Sequence, residues 1–331
     1  MRPARALCTA VAILGVVTAC GAPRASVSAT ADPWASIDDP RAELRGVLAD
    51  VGAATASRFA IADDRGRSMD TLKVIEIPEA ATFAAVYHTW VEADRTFRVD
   101  LATSTDLLSW TWRVELGRMA SQASITRNVD GGYVVAWEQE PDPIHIVIES
   151  FESWDALIKG AVERRFDVPI TMPACGEGTP SIDWASDDRV ELGFHYHASC
   201  VRDLQASGWT DWTTWHSRQE RGRDRWLFDL GNEGHLGDRD RISLGGHELL
   251  LIEGQRVLDD PSTWRVFLID ETAGSAEPVE IRTPAGSAAF SNPTISTVRI
   301  GGRQALVATL FVLGEGARGG EAGPLLFYRV R

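Results

Sequence analysis

Two short segments place side chains capable of chemistry on one face of an extended chain. Asp238 and Asp240 are separated by one residue, and so are His195 and His197. Because side chains alternate along an extended chain, each pair is expected to point to one side. Two carboxylates could act as ligands or as a catalytic pair, and two histidines could hold an ion or a water. A salt-bridged turn for the aspartates and a structural role for the histidines are the alternatives.

Further candidates lie in or next to strand-like runs and could reach a ligand: His88, Trp90, Trp137, Glu138, His235 and Glu253. The tryptophans offer apolar faces on which a sugar ring can stack. The histidines and glutamates could hydrogen-bond the hydroxyls of a sugar. Core packing for the tryptophans and solvated strand ends for the glutamates are the competing interpretations.

The elements that must position these residues recur along the chain. Five segments share one plan, a short strand, a turn and a stronger apolar strand, with anchors near positions 70, 122, 179, 236 and 292. Steps of about 52–57 residues suit a four-stranded propeller blade. The last unit is too short for a full blade, so a strand near Arg58–Ala62 is predicted to complete it and leave few open sheet edges.

The repeat therefore predicts an all-β protein, a five-bladed β-propeller forming a single domain over residues 37–331. Helix is scarce in the sequence. A short helix is predicted at about residues 39–51, because Asp39 can cap it, Pro40 suits its first turn and apolar residues follow on one face.

One phrase carries a resemblance to a known family. Leu101–Trp110 (LATSTDLLSW) is similar to the S-x-D-L-x-x-W turn of five-bladed propeller glycoside hydrolases, the arabinanase and β-xylosidase group with its levansucrase and invertase relatives. In those families an Asp on blade one is the base or nucleophile, an Asp on blade two orients the substrate and a Glu on blade three is the general acid. By register, the resemblance implies Asp70 as the base and Glu177 as the acid, and it places Gln122 at the second position.

The glutamine at that second position leaves the activity open. Glycoside hydrolysis needs a protonated acid and an ionised carboxylate at one pH. A neighbouring carboxylate helps to raise the pKa of the acid, and Gln122 cannot supply that charge, although it could hydrogen-bond a sugar hydroxyl. The sequence thus favours a glycosidase-like protein acting on extracellular oligosaccharide or polysaccharide. The alternative is a non-catalytic carbohydrate-binding or scaffold protein on the same fold.

No cofactor is expected from the sequence, and no residues are assigned as metal ligands, although a Ca²⁺ ion in the central funnel is compatible with the resemblance. The net charge of −14 and the lack of a basic patch argue against a nucleic acid partner. The motifs of serine hydrolases, zinc proteases and P-loop NTPases are absent from the sequence. A monomer with a carbohydrate ligand is the expectation for partners.

The N-terminal residues have the pattern of an export signal. Two arginines precede an apolar run, Ala6–Val17, which is too short to span a membrane as a mature helix. The sequence VTAC, which ends at Cys20, resembles a bacterial lipobox. We therefore expect residues 1–19 to be removed, Cys20 to be lipidated and residues 20–36 to form a flexible tether. The protein would then be exported and anchored by lipid at the extracytoplasmic face of the cell membrane, unless the signal is an ordinary one with a chance cysteine.

The remaining cysteines agree with an oxidising compartment. Once Cys8 is removed and Cys20 lipidated, Cys175 and Cys200 remain, on either side of two strand-like runs joined by a polar turn. In an antiparallel hairpin they would face each other near the ~5.5–6 Å Cα separation that a disulfide needs. The sequence predicts a Cys175–Cys200 disulfide, with two buried thiols as the alternative.

Overall fold

The computed structural model describes residues 37–140 and 143–331. Over these residues the chain forms five four-stranded antiparallel sheets in a ring, a five-bladed β-propeller, and the predicted fold class is confirmed. Three predictions made from the sequence fall outside the described residues: the signal peptide at 1–19, the lipidated Cys20 and the tether at 20–36.

Each blade is a meander of consecutive strands. The first strand of every blade contacts the first strands of neighbouring blades, so these five strands line the axis. Blade one contains β2 (Asp70–Ile77), β3 (Thr82–Val91), β4 (Thr96–Ser104) and β5 (Thr111–Arg118). Blade two contains β6 (Ala120–Arg127), β7 (Tyr133–Gln139), β8 (His145–Phe151) and β9 (Arg164–Asp167). Blade three contains β10 (Ala174–Ala185), β11 (Val190–Ala198), β12 (Arg202–Thr210) and β13 (Trp215–Gln219).

Blade four contains β14 (Arg239–Leu244), β15 (His247–Gln255), β16 (Trp264–Asp270) and β17 (Ser275–Pro278). Blade five contains β18 (Phe290–Ile300), β19 (Arg303–Val312), β20 (Gly323–Val330) and, from the N-terminal side, β1 (Ala56–Phe59). β1 pairs antiparallel with β20 and closes the ring, beginning two residues before the segment expected from the sequence.

Helices are few in the described residues: α1 (Pro40–Leu48), α2 (Trp154–Leu157) and α3 (Arg221–Asp229). Helix α1 starts after Asp39, whose carboxylate accepts a hydrogen bond from the N–H of Ala42 at 2.9 Å. Its apolar face is buried against blades four and five. The helix lies inside the range expected from the sequence and ends three residues earlier.

The core is divided into apolar clusters between neighbouring blades. Four clusters each join two neighbouring blades: one with five, one with two, two with three, and four with five. In a fifth cluster, α3 packs against blade four. Complete burial of a large apolar side chain stabilises the fold by about 1.5–3 kcal/mol. Since every blade has two apolar faces, only a closed ring buries all of them.

The predicted disulfide is confirmed. Cys175 and Cys200 are bonded, with their Cα atoms 5.4 Å apart. Cys200 lies in the turn between β11 and β12, and Cys175 lies at the start of β10. The bond therefore ties this hairpin turn to the innermost strand of blade three.

The innermost strands share a bulge that sets the register of the site. The bulged residues adopt the left-handed conformation, with φ near +50° although none is glycine: Thr71, Gln122, Thr179 and Asn292. The residues just before them keep their cross-strand partners: Asp70, Ser121, Gly178 and Ser291. The register expected from the sequence is thus shifted by one residue in two blades. The blade-two counterpart of Asp70 is Ser121 instead of Gln122, and the blade-three counterpart is Gly178 instead of Glu177.

Candidate active site

The second strands of four blades each present one titratable residue at the same level of the axis. His88 lies directly opposite Asp70, Glu138 lies opposite Ser121, and His195 lies opposite Gly178. In blade four the N–H of Glu253 donates to the carbonyl of Asp238 at 2.9 Å. One position of the repeat therefore supplies four acid–base groups to one end of the axis.

Hydrogen bonds from the bulges fix these side chains across blade boundaries. The N–H of Gln122 donates to His88 Nδ1 at 3.1 Å, and the N–H of Thr179 donates to Glu138 Oε2 at 3.1 Å. The N–H of Asn292 makes the same contact with Glu253 Oε2. Because the bulge frees an N–H from its own sheet, that N–H can donate to the preceding blade.

Asp70 is held by donors from two blades. Its Oδ1 accepts from the N–H of Thr71 at 2.7 Å and from Asn292 Nδ2 at 3.0 Å. Its Oδ2 lies 3.3 Å from His88 Nε2. Since His88 Nδ1 already accepts from Gln122, the ring proton is assigned to Nε2, the nitrogen nearer Asp70. Solvent still reaches this carboxylate, whose side chain is 18% exposed.

Asp238 and Glu253 form a buried carboxyl pair beside Asp70. Within the described residues no donor hydrogen-bonds to either carboxylate oxygen of Asp238. Burial, followed by the charges of Glu253 and Glu138, raises the pKa of Asp238 well above its usual value. Burial also raises the pKa of Glu253 to about 8, against the N–H donors of Asn292 and Asp238. The pair therefore retains a proton near neutral pH.

Glu138 completes what we call the axial carboxylate cluster: Asp70, Glu138, Asp238 and Glu253. Burial raises the pKa of Glu138, and the charge of His195 opposes this effect. The cluster thus combines a carboxylate that accepts two hydrogen bonds and is open to solvent with carboxyls whose burial favours the protonated form. Acid–base chemistry with two carboxyl groups uses such different environments.

Below this cluster the axis is closed by an ion pair. Lys73 Nζ lies 2.5 Å from Asp240 Oδ2 and donates to the carbonyl of Ile295 at 2.8 Å. The space left between the innermost strands is a cavity of about 20 Å³, room for about one water. A ligand larger than water must therefore approach the cluster from the end of the axis that carries Asp70.

Asp238 and Asp240 both line the axis but have different environments. Asp238 belongs to the axial carboxylate cluster, whereas Asp240 is neutralised by Lys73. Gln122 is also at the axis, where its Oε1 accepts from Thr71 Oγ1 at 2.5 Å. His195 Nδ1 lies 2.6 Å from Thr179 Oγ1, and His197 turns toward the rim of the funnel, where its Nδ1 lies 2.8 Å from Asp203 Oδ1.

Glu177 is placed differently from Asp70. It is buried, and its Oε1 accepts from the backbone N–H groups of Thr171 and Met172 at 2.8 and 2.7 Å. Burial raises the pKa of this carboxyl, and those two N–H groups oppose the shift. These bonds tie the start of β10 to the loop after blade two. The general-acid role of Glu177 stays a prediction.

The two tryptophans that were candidates for sugar stacking have opposite environments. Trp90 is 48% exposed, donates to Glu92 and packs its edge against Phe97. Trp137 is fully buried in the apolar cluster between blades one and two. A ligand could stack on Trp90, whereas no face of Trp137 is open to one.

Asp203 belongs to this region and was not identified from the sequence. It lies at the start of β12, close to three histidines, two of which the sequence had placed on one strand. Those histidines hold the pKa of Asp203 below its usual value, against the effect of its burial. The sequence signal that could have found the cluster itself is the recurrence of a titratable residue on the second strand of four of the five blades: His88, Glu138, His195 and Glu253.

A much larger cavity than the one at the axis lies elsewhere. A cleft of about 830 Å³, which we call the blade three–four cleft, opens toward the far ends of the innermost strands, and its lining includes Asp183, Trp184, Trp209, Arg223, Arg241 and Glu248. Its charges are paired: Arg241 contacts Asp183 at 3.1 Å and Glu271 at 2.6 Å. No helix of the described residues has the length and apolar character needed to cross a membrane.

No protein-family model matches this sequence, and no curated protein matches it either. Solved structures do match. An exo-1,5-alpha-L-arabinanase from a bovine ruminal metagenomic library is 9% identical, with a TM-score of 0.53 over 82% of this chain and 95% of that one. An endo-arabinase from Bacteroides thetaiotaomicron is 10% identical, with a TM-score of 0.52 over 82% and 96% of the two chains. A GH32 beta-fructofuranosidase from Bombyx mori is 11% identical, with a TM-score of 0.51 over 83% of this chain and 62% of that one.

At these identities the likeness shows the fold alone. The chain has the five-bladed propeller of GH43 and GH32 glycoside hydrolases, and the resemblance inferred from the sequence is confirmed at that level.

Proposed function

We propose that this protein is a glycosidase of the propeller type, which binds an extracellular oligosaccharide or polysaccharide at the axial carboxylate cluster and hydrolyses it. The observation that carries the proposal is the clustering of Asp70, Glu138, Asp238 and Glu253 near the axis, where the charges are only partly compensated and Asp70 remains accessible to solvent. The fold shared with glycoside hydrolases supports the same conclusion.

In this proposal Asp70 is the base or nucleophile. Two donors hold its Oδ1 in place, His88 lies beside its Oδ2, and its side chain is accessible to solvent. Glu253, paired with Asp238, is the general acid, because burial keeps a proton on this pair near neutral pH. One carboxyl then protonates the leaving oxygen while the other acts on water or on the anomeric carbon.

Glu177 is the alternative candidate for the general acid. Hydrolysis by variants at Glu253 and Glu177 distinguishes the two candidates. With a panel of aryl glycosides and plant or cell-wall polysaccharides, we expect Asp70→Asn and Glu253→Gln each to lower kcat/KM by ~10²–10⁴-fold on unactivated substrates. Glu177→Gln should leave it within a few-fold of the wild type. Dinitrophenyl glycosides, whose leaving group departs without a proton, should largely restore the rate of Glu253→Gln and not that of Asp70→Asn.

The opposite pattern has a clear meaning. Loss of hydrolysis in Glu177→Gln, with Glu253→Gln active, would return the acid to Glu177. Hydrolysis that survives Asp70→Asn would remove the site from the axis. Circular dichroism and thermal melts of each variant control for folding, since Glu177 also holds the loop at Thr171 and Met172.

A second function is favoured by the unpartnered oxygens of Asp238. Buried carboxylate oxygens of this kind are ligands that Ca²⁺ takes, and Ca²⁺ is the ion that the family resemblance allows. When bound, Ca²⁺ would supply ligand positions for sugar hydroxyls. These carboxyls would then have to be ionised, so no acid would remain, and the protein would be a non-catalytic carbohydrate-binding or scaffold protein.

The same panel distinguishes this second function from the first. It predicts no hydrolysis, and glycan binding that EDTA abolishes and Ca²⁺ restores. Absence of both hydrolysis and glycan binding would contradict both functions.

We further propose that the protein acts as a monomer on the outer face of the cell membrane, held there by a lipid on Cys20. The apolar run before VTAC supports this assignment, and the Cys175–Cys200 disulfide suits an oxidising compartment. We expect Cys20→Ser to move the protein from the membrane fraction to the soluble fraction of the producing cells. A wild-type protein already found in the soluble fraction would contradict the anchor.

A further inference from the structure

Three side chains converge at the rim of the funnel, beside the axial carboxylate cluster. His197 on β11, Asp203 on β12 and His235, in the loop before β14, each offer one nitrogen or oxygen within 4.8 Å of the others. We call this group the rim site. It belongs to blades three and four and is separate from Asp238, whose oxygens face the axis.

The backbone positions these residues without help from a ligand. His197 and Asp203 are direct cross-strand partners in the β11–β12 hairpin. The carbonyl of Asp203 accepts from the N–H of Leu236 at 3.0 Å, which fixes the segment that carries His235. The Cys175–Cys200 disulfide ties the turn of the same hairpin to β10. A preorganised set of ligands loses little conformational entropy when an ion binds.

The contacts of His235 place its ring nitrogen beside the carboxylate of Asp203. Its Nδ1 lies 3.1 Å from the N–H of Asp203 and 2.8 Å from the carboxylate Oδ2 of the same residue. A neutral ring nitrogen carries either a lone pair or a proton, so it cannot serve both contacts. Either a proton on Nδ1 or a metal ion could bridge this nitrogen and the carboxylate oxygen. A metal ion would take the lone pair of Nδ1 in place of the N–H of Asp203.

We propose that His197, Asp203 and His235 bind a divalent transition-metal ion, with Zn²⁺ as the best fit. Two imidazoles and one carboxylate form a donor set that Zn²⁺ takes in proteins, whereas Ca²⁺ takes oxygen ligands. The side chains are 36%, 19% and 16% exposed, so the ion has access from solvent and keeps a coordination position for water or for a ligand. His195 Nε2, 3.8 Å from Asp203 Oδ1, lies close enough to orient the carboxylate. The site does not depend on the proposed hydrolysis.

The test is direct metal binding by untagged protein that has been stripped with a chelator and dialysed. Calorimetric titration with ZnCl₂ should give one equivalent bound, and CoCl₂ should give the visible absorption of a low-coordinate nitrogen–oxygen site. Asp203→Asn and His197→Ala should each weaken Zn²⁺ binding by at least about tenfold. His145→Ala, which removes a histidine of blade two that lies beside Asp167, should leave the affinity unchanged.

Millimolar CaCl₂ should not displace the bound Zn²⁺, which separates this site from a calcium site at Asp238. No Zn²⁺ binding by the wild type would overturn the proposal, and so would unchanged affinity in both Asp203→Asn and His197→Ala. Thermal melts without metal establish that the variants are folded. Should either variant unfold, His235→Gln gives the third test of the same prediction, and hydrolysis assays play no part in the readout.

Discussion

The axial carboxylate cluster and the blade three–four cleft use charge in opposite ways. In the cleft, which is the larger cavity at about 830 Å³, each arginine of the lining has a carboxylate partner. Arg241 contacts Asp183 and Glu271, and Arg189 contacts Glu191 at 2.8 Å. At the axis, acids lie beside acids above a cavity of about 20 Å³, and Asp238 has no hydrogen-bond donor among the described residues.

The comparison shows that the larger of two cavities need not be the one whose side chains are set up for acid–base chemistry. Paired charges in a cleft position strands against each other and leave each group in its ordinary ionisation state. Like charges that are buried together cost stability, shift pKa values and thereby mark a candidate functional site. The comparison makes a prediction about sign: neutralising one charge should stabilise the axis and destabilise the cleft.

The largest effect is expected for Glu253→Gln, measured as the free energy of unfolding against pH in chelator-treated protein. The pKa of Glu253 is about 8 in the folded chain, above its ordinary value of 4.5. The folded state thus keeps a proton that the unfolded state releases, and stability falls as pH rises from about 4.5 to about 8, by up to ~1.4 kcal/mol per pH unit. The glutamine keeps an acceptor for the N–H of Asn292 and carries no charge, so it should flatten this slope.

Urea midpoints at pH 5, 6.5 and 8 measure the slope. Glu233→Gln, an exposed glutamate before the same blade, is the matched control and should run parallel to the wild type. If the stability of Glu253→Gln also changed with pH in parallel with the wild type, the buried carboxyls at the axis would not lower the stability of the fold. The two regions would then not differ in the way proposed.

A smaller effect of opposite sign is expected in the cleft. Arg241→Met removes the partner that Asp183 and Glu271 share. Glu271 then keeps Arg223, and Asp183 keeps only Arg239 at 3.9 Å, so we expect the fold to lose about 2 kcal/mol. Urea unfolding at pH 7 measures the loss. Arg225→Met is the control, since Arg225 and Asp229 are 82% and 70% exposed and 3.8 Å apart, and its cost should stay within about 0.5 kcal/mol. Equal costs for the two arginines would show that the cleft pairs contribute no more than surface pairs.

The ring of blades was predictable because the pattern that produces it repeats along the sequence. Five repeats of turn and apolar strand can bury both faces of every sheet only by stacking around an axis, and the Cys175–Cys200 pair follows from hairpin geometry. The register of the site was not predictable in the same way. One bulged residue in four of the five innermost strands shifts the alignment by one position. The bulged Gln122 has the left-handed conformation although it is not a glycine, so the sequence does not indicate the bulge.

Burial set a second limit on what the sequence could predict. Strand β7 is buried on both faces because it lies between two neighbouring blades, so Trp137 enters the core, whereas Trp90 at the end of β3 remains exposed. Alternation of polar and apolar residues cannot distinguish these two cases when both faces are covered. Asp203 was missed because its partners come from other strands and from a loop.

The pairing of β1 with β20 has a consequence for the synthesis of the protein. The first and last strands of the propeller share one sheet, so blade five cannot be completed before Gly323–Val330 has left the ribosome. Until then the growing chain holds no closed ring, and blades one and four each lack the neighbour that covers one of their faces. Circular closure thus delays the full barrier to unfolding until translation of the propeller is finished.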